Sequence, residues 1–334
     1  MKIDAQALAT ATEDGRLSGV VTVDAGEERL YEACHGYAHR GLAVPTTVGT
    51  RFALASATKI MTALGVLRLV EEGAIRLTDP VRPILGGDLP LIDDAVTIEH
   101  LLGHTSGIGD YLDEEAAWEP ADYVLPVPVH TLADTEAFVR VIDGYPQVSP
   151  PGERFAYNNG GYVVLALITD RLAESGYHDW VEQQVCARAG LERTSYLRSD
   201  ELPGDAALGY LFDEGDRTNV LHLPVRGTGD GGIYSTVDDL HRFWRSLVAG
   251  QIVGPDLVQT MITPRNVSHE EEKLRYGLGC WLHPTGPALI VEGYDAGISM
   301  RSIHDPATQT TATVLANSSE GAWRVAWRLV EMFG

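Results

Sequence analysis

Two runs near the start of the chain, Ser18 to Val23 and Arg29 to His35, are rich in β-formers, and the Asp24-Ala25-Gly26-Glu27 segment between them has turn chemistry. The pattern predicts a β-hairpin. From Thr58 to Glu72 the apolar residues Ile60, Met61, Leu64, Leu67 and Val70 recur at helical spacing, and Gly73 supplies a stop. Apolar residues occupy most faces of this helix, which is therefore expected to be central. Helical patterns separated by Pro- and Gly-rich loops follow between about Leu77 and Pro224, among them Val163 to Ser175 and Tyr177 to Ala189. Strand-like runs then return at Tyr276 to His283, Ala288 to Glu292, Gly297 to His304 and Thr310 to Asn317, before a last helical pattern from Glu320 to Met332.

Strands at both ends with helices between them predict an α/β protein of the α+β kind: one antiparallel sheet assembled from both termini, flanked by helices, with a mainly helical domain inserted. The expected boundaries are 1–76 with 225–334 for the sheet domain and 77–224 for the helical one, the site lying where they meet. No internal repeat is visible.

Composition narrows the classes of function. The 334 residues are 44% hydrophobic and 22% charged, as in a globular chain. The formal net charge of -22 repels nucleic acid and anionic lipid, which bind through clustered Lys and Arg. No membrane-spanning run occurs, and Met1 to Arg16 lack the basic stretch and apolar run of a secretory signal. Cys34, Cys186 and Cys280 are odd in number and have neither disulfide nor zinc spacing, so a reducing cytoplasm is the expected location.

The candidate chemistry begins at Phe52-Ala53-Leu54-Ala55-Ser56-Ala57-Thr58-Lys59, which sets Ser56 at the start of the apolar helix and Lys59 one turn on along the same face. There the unsatisfied NH groups and the positive end of the helix dipole favour developing negative charge. A serine hydroxyl needs a base to become a nucleophile, and a buried lysine can serve or assist. Lysines are scarce, only Lys2, Lys59 and Lys273, and the chance count of Ser-x-x-Lys in this composition is about 0.1. Read alone, the pair is also compatible with a helix cap and a snorkelling lysine. A second segment, Pro151-Gly152-Glu153-Arg154-Phe155-Ala156-Tyr157-Asn158-Asn159, joins a turn, a tyrosine and two amides ahead of another apolar helix. A tyrosine beside a lysine cation can act as base and then as acid, and Asn159 can orient a lysine or a substrate carbonyl. Read alone, however, this segment is a loop with a helix cap.

Together these segments resemble the serine beta-lactamase and DD-peptidase superfamily, most closely its class C branch with the related esterases. Leu101-Leu102-Gly103-His104-Thr105-Ser106-Gly107 is similar to the family's Leu-Leu-x-His-Thr-Ser-Gly segment, and Pro151 to Asn159 to its Pro-Gly-x-x-Phe-x-Tyr-x-Asn segment. Gly231 to Thr236 and Tyr276-Gly277-Leu278-Gly279 match later landmarks in the same order. The resemblance implies acyl transfer through a covalent acyl-enzyme, with Ser56 attacking, Tyr157 and Lys59 exchanging its proton, and Asn159 holding lysine and substrate. It implies an oxyanion hole made by the NH groups of Ser56 and Gly297, and no cofactor or metal.

The family's third motif, Lys-Thr-Gly or His-x-Gly, is aligned here with Tyr294-Asp295-Ala296, followed by Gly297, so Tyr294 stands where a cation is usual. A tyrosine offers a hydrogen bond but cannot neutralise the carboxylate of a penicillin or a D-alanyl peptide. Asp295 is a turn residue or a partner for a substrate amine, and Arg301, by period-two counting, is a possible replacement cation. His100 and His104 have i, i+4 spacing, but a helix would have to run through Gly103 for them to bind metal, so the His-Thr-Ser-Gly turn is expected to be structural and Ser106 is not the nucleophile. The expected partner is a small ester or amide. A beta-lactamase or D-amino-acid peptidase, and a non-catalytic penicillin-binding-like scaffold, are the alternatives, whereas no Gly-x-Ser-x-Gly elbow of an α/β-hydrolase occurs.

Overall fold

The computed structural model describes residues 5–12, 16–112, 120–122, 124–267 and 273–333. The loop region 110–150 thus lies partly outside the described residues, at 113–119 and 123.

Among the described residues, eight strands form the main sheet: β1 (Gly19–Ala25), β2 (Glu28–His35), β3 (Asn266–Val267), β4 (Arg275–Tyr276), β5 (Trp281–Leu282), β6 (Leu289–Asp295), β7 (Ile298–Asp305) and β8 (Thr310–Ala316). Their order is β2-β1-β8-β7-β6-β5-β4-β3, every described pairing being antiparallel. The termini meet directly, Gly19 opposite Ala316 and Ala25 opposite Thr310, so the sheet is built from both ends of the chain. The edge strand β2 alternates exposed and half-buried positions, whereas β7 and β8 are buried on nearly every residue. That difference reflects helices on both faces of the inner strands. Val21, Ile290, Ile303 and Val314 pack with α1 (Ala5–Thr12) and α5 (Trp323–Glu331) on one face. Val20, Val291, Met300 and Leu315 belong to the larger core on the other, with α2 (Thr58–Glu71), α3 (Asn159–Leu172) and α4 (Val237–Val248).

Helix α2 is buried from Thr58 to Leu69, including Lys59, which explains why its apolar residues cover most faces. Gly73, with φ +75°, follows its end. Among the described residues, 77–224 contain helices and isolated bridges without a named strand. A short pairing of Phe52–Ala53 with Tyr234–Ser235 fastens the segment before Ser56 to the segment after Asp230. It carries residues 230–232 to the start of α2.

The single strand expected at Tyr276 to His283 is instead the tight pair β4 and β5. Gly279 has φ +87°, and a Cβ there would stand 2.4 Å from the Ala63 Cβ, so only glycine lets this turn press onto α2. Gly297, expected within a strand, occupies the two-residue turn Ala296-Gly297 between β6 and β7 with φ +72°.

Candidate active site

A single 3₁₀ turn, Ala55–Ala57, leads into α2 and presents Ser56. Ala55 has φ +44°, a left-handed conformation that costs an L-residue energy and is held here by the packing around it. One helical turn on, the buried Lys59 ammonium donates to Ser56 Oγ at 2.9 Å, Asn159 Oδ1 at 2.7 Å and the Asp230 carbonyl oxygen at 3.0 Å. An ammonium has three protons and these are three acceptors, so the cation is stabilised where it stands. Tyr157 lies against the same group, its ring centroid 4.8 Å from Nζ. The structure thus brings Ser56, Lys59, Tyr157 and Asn159 together from α2 and the start of α3.

His104 supports Tyr157 and the Asn159 loop. The Asn158 NH donates to His104 Nδ1 at 3.0 Å, so the ring's proton is on Nε2, which reaches the Tyr276 hydroxyl at 3.1 Å. The His104 ring also packs on Tyr157 with centroids 4.3 Å apart. Burial, and then the Lys59 cation, hold His104 well below the usual histidine range, keeping it neutral. The helix before it ends at Leu102, so His100 and His104 form no metal pair, and no metal-binding cluster occurs among the described residues.

Two carboxylates absent from the sequence reading flank this centre. Asp110 accepts from the NH groups of Asn159 at 2.6 Å and Gly160 at 2.9 Å, and burial pushes it up to about 6. Asp230 accepts from the Tyr111 hydroxyl; burial raises it, and the Lys59 cation opposes that rise. Asp110 directly follows the His-Thr-Ser-Gly-Ile-Gly segment, but only the fold reveals that it meets α3.

The opposite wall corrects the expected third motif. On β6 the residue pressed against the serine turn is Gly293, where a Cβ would stand 2.0 Å from the Leu54 carbonyl oxygen and 3.2 Å from the Ala55 Cβ. The glycine that closes the motif is therefore Gly293, and Val291-Glu292-Gly293 occupies the motif's place, three residues before the expected one. Counted from that glycine, the motif's first position falls on Val291, which is buried in the core. Gly297 does not face Ser56 as an oxyanion donor, since its NH donates to Ser319 Oγ at 2.9 Å. Tyr294 sits at the rim, its hydroxyl donating to Glu320 at 3.1 Å. Asp295 Oδ1 accepts from the Ala296 NH at 2.7 Å, as a turn residue does, while the side chain also borders the pocket. Arg301 lies on the other face, bonded to Glu292 and 5.0 Å from the Trp327 ring, and does not replace the cation.

Beside Ser56 opens a cavity of ≈ 80 Å³, walled by apolar residues including Leu125, Phe138, Leu223, Val225 and Ile298, with Asp230 and Asn159 among its polar groups.

The beta-lactamase family model matches residues 5–331, nearly the whole chain. The chain belongs to the beta-lactamase family. Among solved structures, this family member is similar to a penicillin binding protein from Bacillus halodurans, with TM-score 0.90 and 35% identity over 98% of this chain and 100% of that one. It is 30% identical to penicillin-binding protein 4* of Bacillus subtilis over 83% of its own length, and spans only 62% of that relative. Esterase EstB of Burkholderia gladioli shares 43% identity over a shorter stretch, 32% of this chain and 28% of the esterase.

Proposed function

We propose that this family member is a serine hydrolase that forms an acyl-enzyme at Ser56 and acts on small esters or amides without a substrate carboxylate. The observation that carries the reading is the buried Lys59 ammonium held between Ser56 Oγ and Asn159 Oδ1, with Tyr157 against it. With its three protons engaged, Lys59 acts as the fixed cation, and Tyr157 as the phenolate takes the proton. Ser56 Oγ bonds to the substrate carbonyl carbon as its proton passes to Tyr157, which then protonates the leaving oxygen or nitrogen as that bond breaks. Water repeats the sequence, giving its proton to Tyr157 and its oxygen to the acyl carbon, and Ser56 recovers the proton.

The oxyanion would rest on the NH groups of Ser56 and Tyr294. In a two-residue hairpin Asp295 and Ile298 form the hydrogen-bonded pair, and pairing alternates along the strand. The Tyr294 NH therefore points away from β7, on the residue after Gly293, which touches the serine turn. Val291 disfavours substrates that need a cation for their carboxylate, so a beta-lactamase or D-amino-acid peptidase is the second reading. The similarity to EstB supports the esterase side of this choice. A cytoplasmic setting is part of the reading, supported by three free thiols, and no helix among the described residues is long and apolar enough to cross a membrane.

The test uses the protein and its Ser56→Ala variant with p-nitrophenyl butyrate and with benzylpenicillin. Ester turnover that disappears in the variant, with penicillin turned over at least about 100-fold more slowly, is expected. Rapid penicillin hydrolysis would overturn the argument from Val291. Absence of both turnover and adduct would favour a non-catalytic scaffold.

A further inference from the structure

We propose that Asp110 is a positioning residue for Asn159, clamping the first turn of α3 so that the Asn159 side-chain oxygen stays on the Lys59 ammonium. This rests on the hydrolase reading above. The Asp110 carboxylate uses both oxygens: Oδ2 accepts from the Asn159 NH at 2.6 Å, and Oδ1 accepts from the Gly160 NH at 2.9 Å. Two residues further on, the Leu112 carbonyl accepts from Asn159 Nδ2 at 3.4 Å, a long contact that fixes which end of the amide faces the lysine. One short segment thereby holds Asn159 by its backbone and by its side-chain nitrogen. Its oxygen is left for Lys59 at 2.7 Å.

Asp110 is not needed as the ordinary cap of α3. That task belongs to Asn158, whose side chain accepts from the Gly161 NH at 2.6 Å. The location is also costly for a carboxylate, because burial and the neighbouring Asp230 both disfavour its charge. Among the described residues, the charged or titratable groups around it are Asp230 from the 226–232 segment, Tyr111 beside it, and Lys59 of α2 beyond Asn159. A second carboxylate in such a place is explained by what its two oxygens aim, since a bidentate acceptor fixes the direction of the turn more tightly than a single oxygen does.

The decisive comparison is a double-mutant cycle on ester turnover with Asp110→Asn and Asn159→Ala. Asparagine keeps one acceptor oxygen but turns an NH2 group toward the Asn159 NH. Asp110→Asn is expected to lower kcat by about 10- to 100-fold with KM within about 3-fold, the range produced by misplacing a reacting group by an ångström or less. In the Asn159→Ala background the same change should cost less than about 2-fold, because the residue being positioned is gone. Equal losses in both backgrounds, or an unchanged kcat, would overturn the proposal. An NMR measurement needs no turnover: in ¹⁵N-labelled Ser56→Ala protein the Asn159 amide proton should shift as Asp110 titrates, and Asp110→Asn should abolish that shift. An amide proton that ignores pH in the parent, or titrates equally in the variant, would overturn the proposal even if the chain hydrolyses nothing.

Discussion

The two walls of the cleft are built on opposite principles. On one wall, α2, the start of α3 and Asp230 hold a lysine cation by three acceptors in a buried setting, with a neutral histidine and a buried carboxylate behind it. On the other, β6 offers a glycine and backbone with a buried valine behind them, while its tyrosine bonds Glu320 at the rim. The first wall pays desolvation for several polar groups and makes sense only if charge moves there. The second touches the serine turn closely but has no cation with which to read a carboxylate. Chemistry and substrate choice are thus separable here, and the substitutions below test that separation.

The largest effect should come from the first wall. Lys59→Ala removes the cation and leaves three acceptors without their donor, so kcat/KM for an activated ester should fall by about 10⁴-fold or more in steady-state assays. Tyr157→Phe, which keeps the ring on His104 but removes the proton carrier, should cost about 10²- to 10⁴-fold in kcat. On the second wall, Gly293→Ala pushes a methyl group into the Leu54 carbonyl and should destabilise by about 1–3 kcal/mol in chemical unfolding, with activity lost as the serine turn shifts. Tyr294→Phe loses the rim hydrogen bond to Glu320 and should change kcat/KM by less than about 3-fold. If Tyr294→Phe were as damaging as Tyr157→Phe, the division between the walls would fail.

Asp110 gives the most diagnostic effect, with opposite signs for stability and activity. Its folded value is raised above the ordinary carboxylate value to about 6, so between about pH 4 and 6 the native state binds more protons than the unfolded chain. The stability of the wild type relative to Asp110→Asn should therefore fall as pH rises through that window, by up to about 3 kcal/mol, and level off above it. Ester turnover should rise through the same window, because only the carboxylate accepts from both NH groups. Unfolding curves and rate profiles between pH 4 and 8 check both signs.

Much of this was legible in the sequence, and the failures have physical causes. The hairpin at β1 and β2, the helix from Thr58, and the sheet built from both termini follow from periodicity and turn residues. Lys59 stood out because a lysine is unusual in an apolar helix, with Ser56 one turn before it, whereas Tyr157 and Asn159 were legible only through the resemblance of their segment to the family's motif. The third motif was misplaced because Gly293 and Gly297, four residues apart, are both plausible motif glycines. Only the approach to Leu54 separates the one that meets the serine turn from the one that makes the hairpin turn. The β4 and β5 pair read as one strand because a glycine turn pressed against a distant helix leaves no local pattern. Asp110 and Asp230 escaped notice for a related reason: a carboxylate in a loop reads as solvated until the fold buries it.

The most direct test of the central claim is the mass of the intact protein, quenched within milliseconds of mixing with a slowly deacylating activated ester, followed by peptide mapping. The account predicts a single acyl adduct on Ser56, absent from Ser56→Ala and formed far more slowly in Tyr157→Phe. Turnover without any Ser56 adduct in the wild type, or an adduct forming at the same rate in Tyr157→Phe, would contradict it.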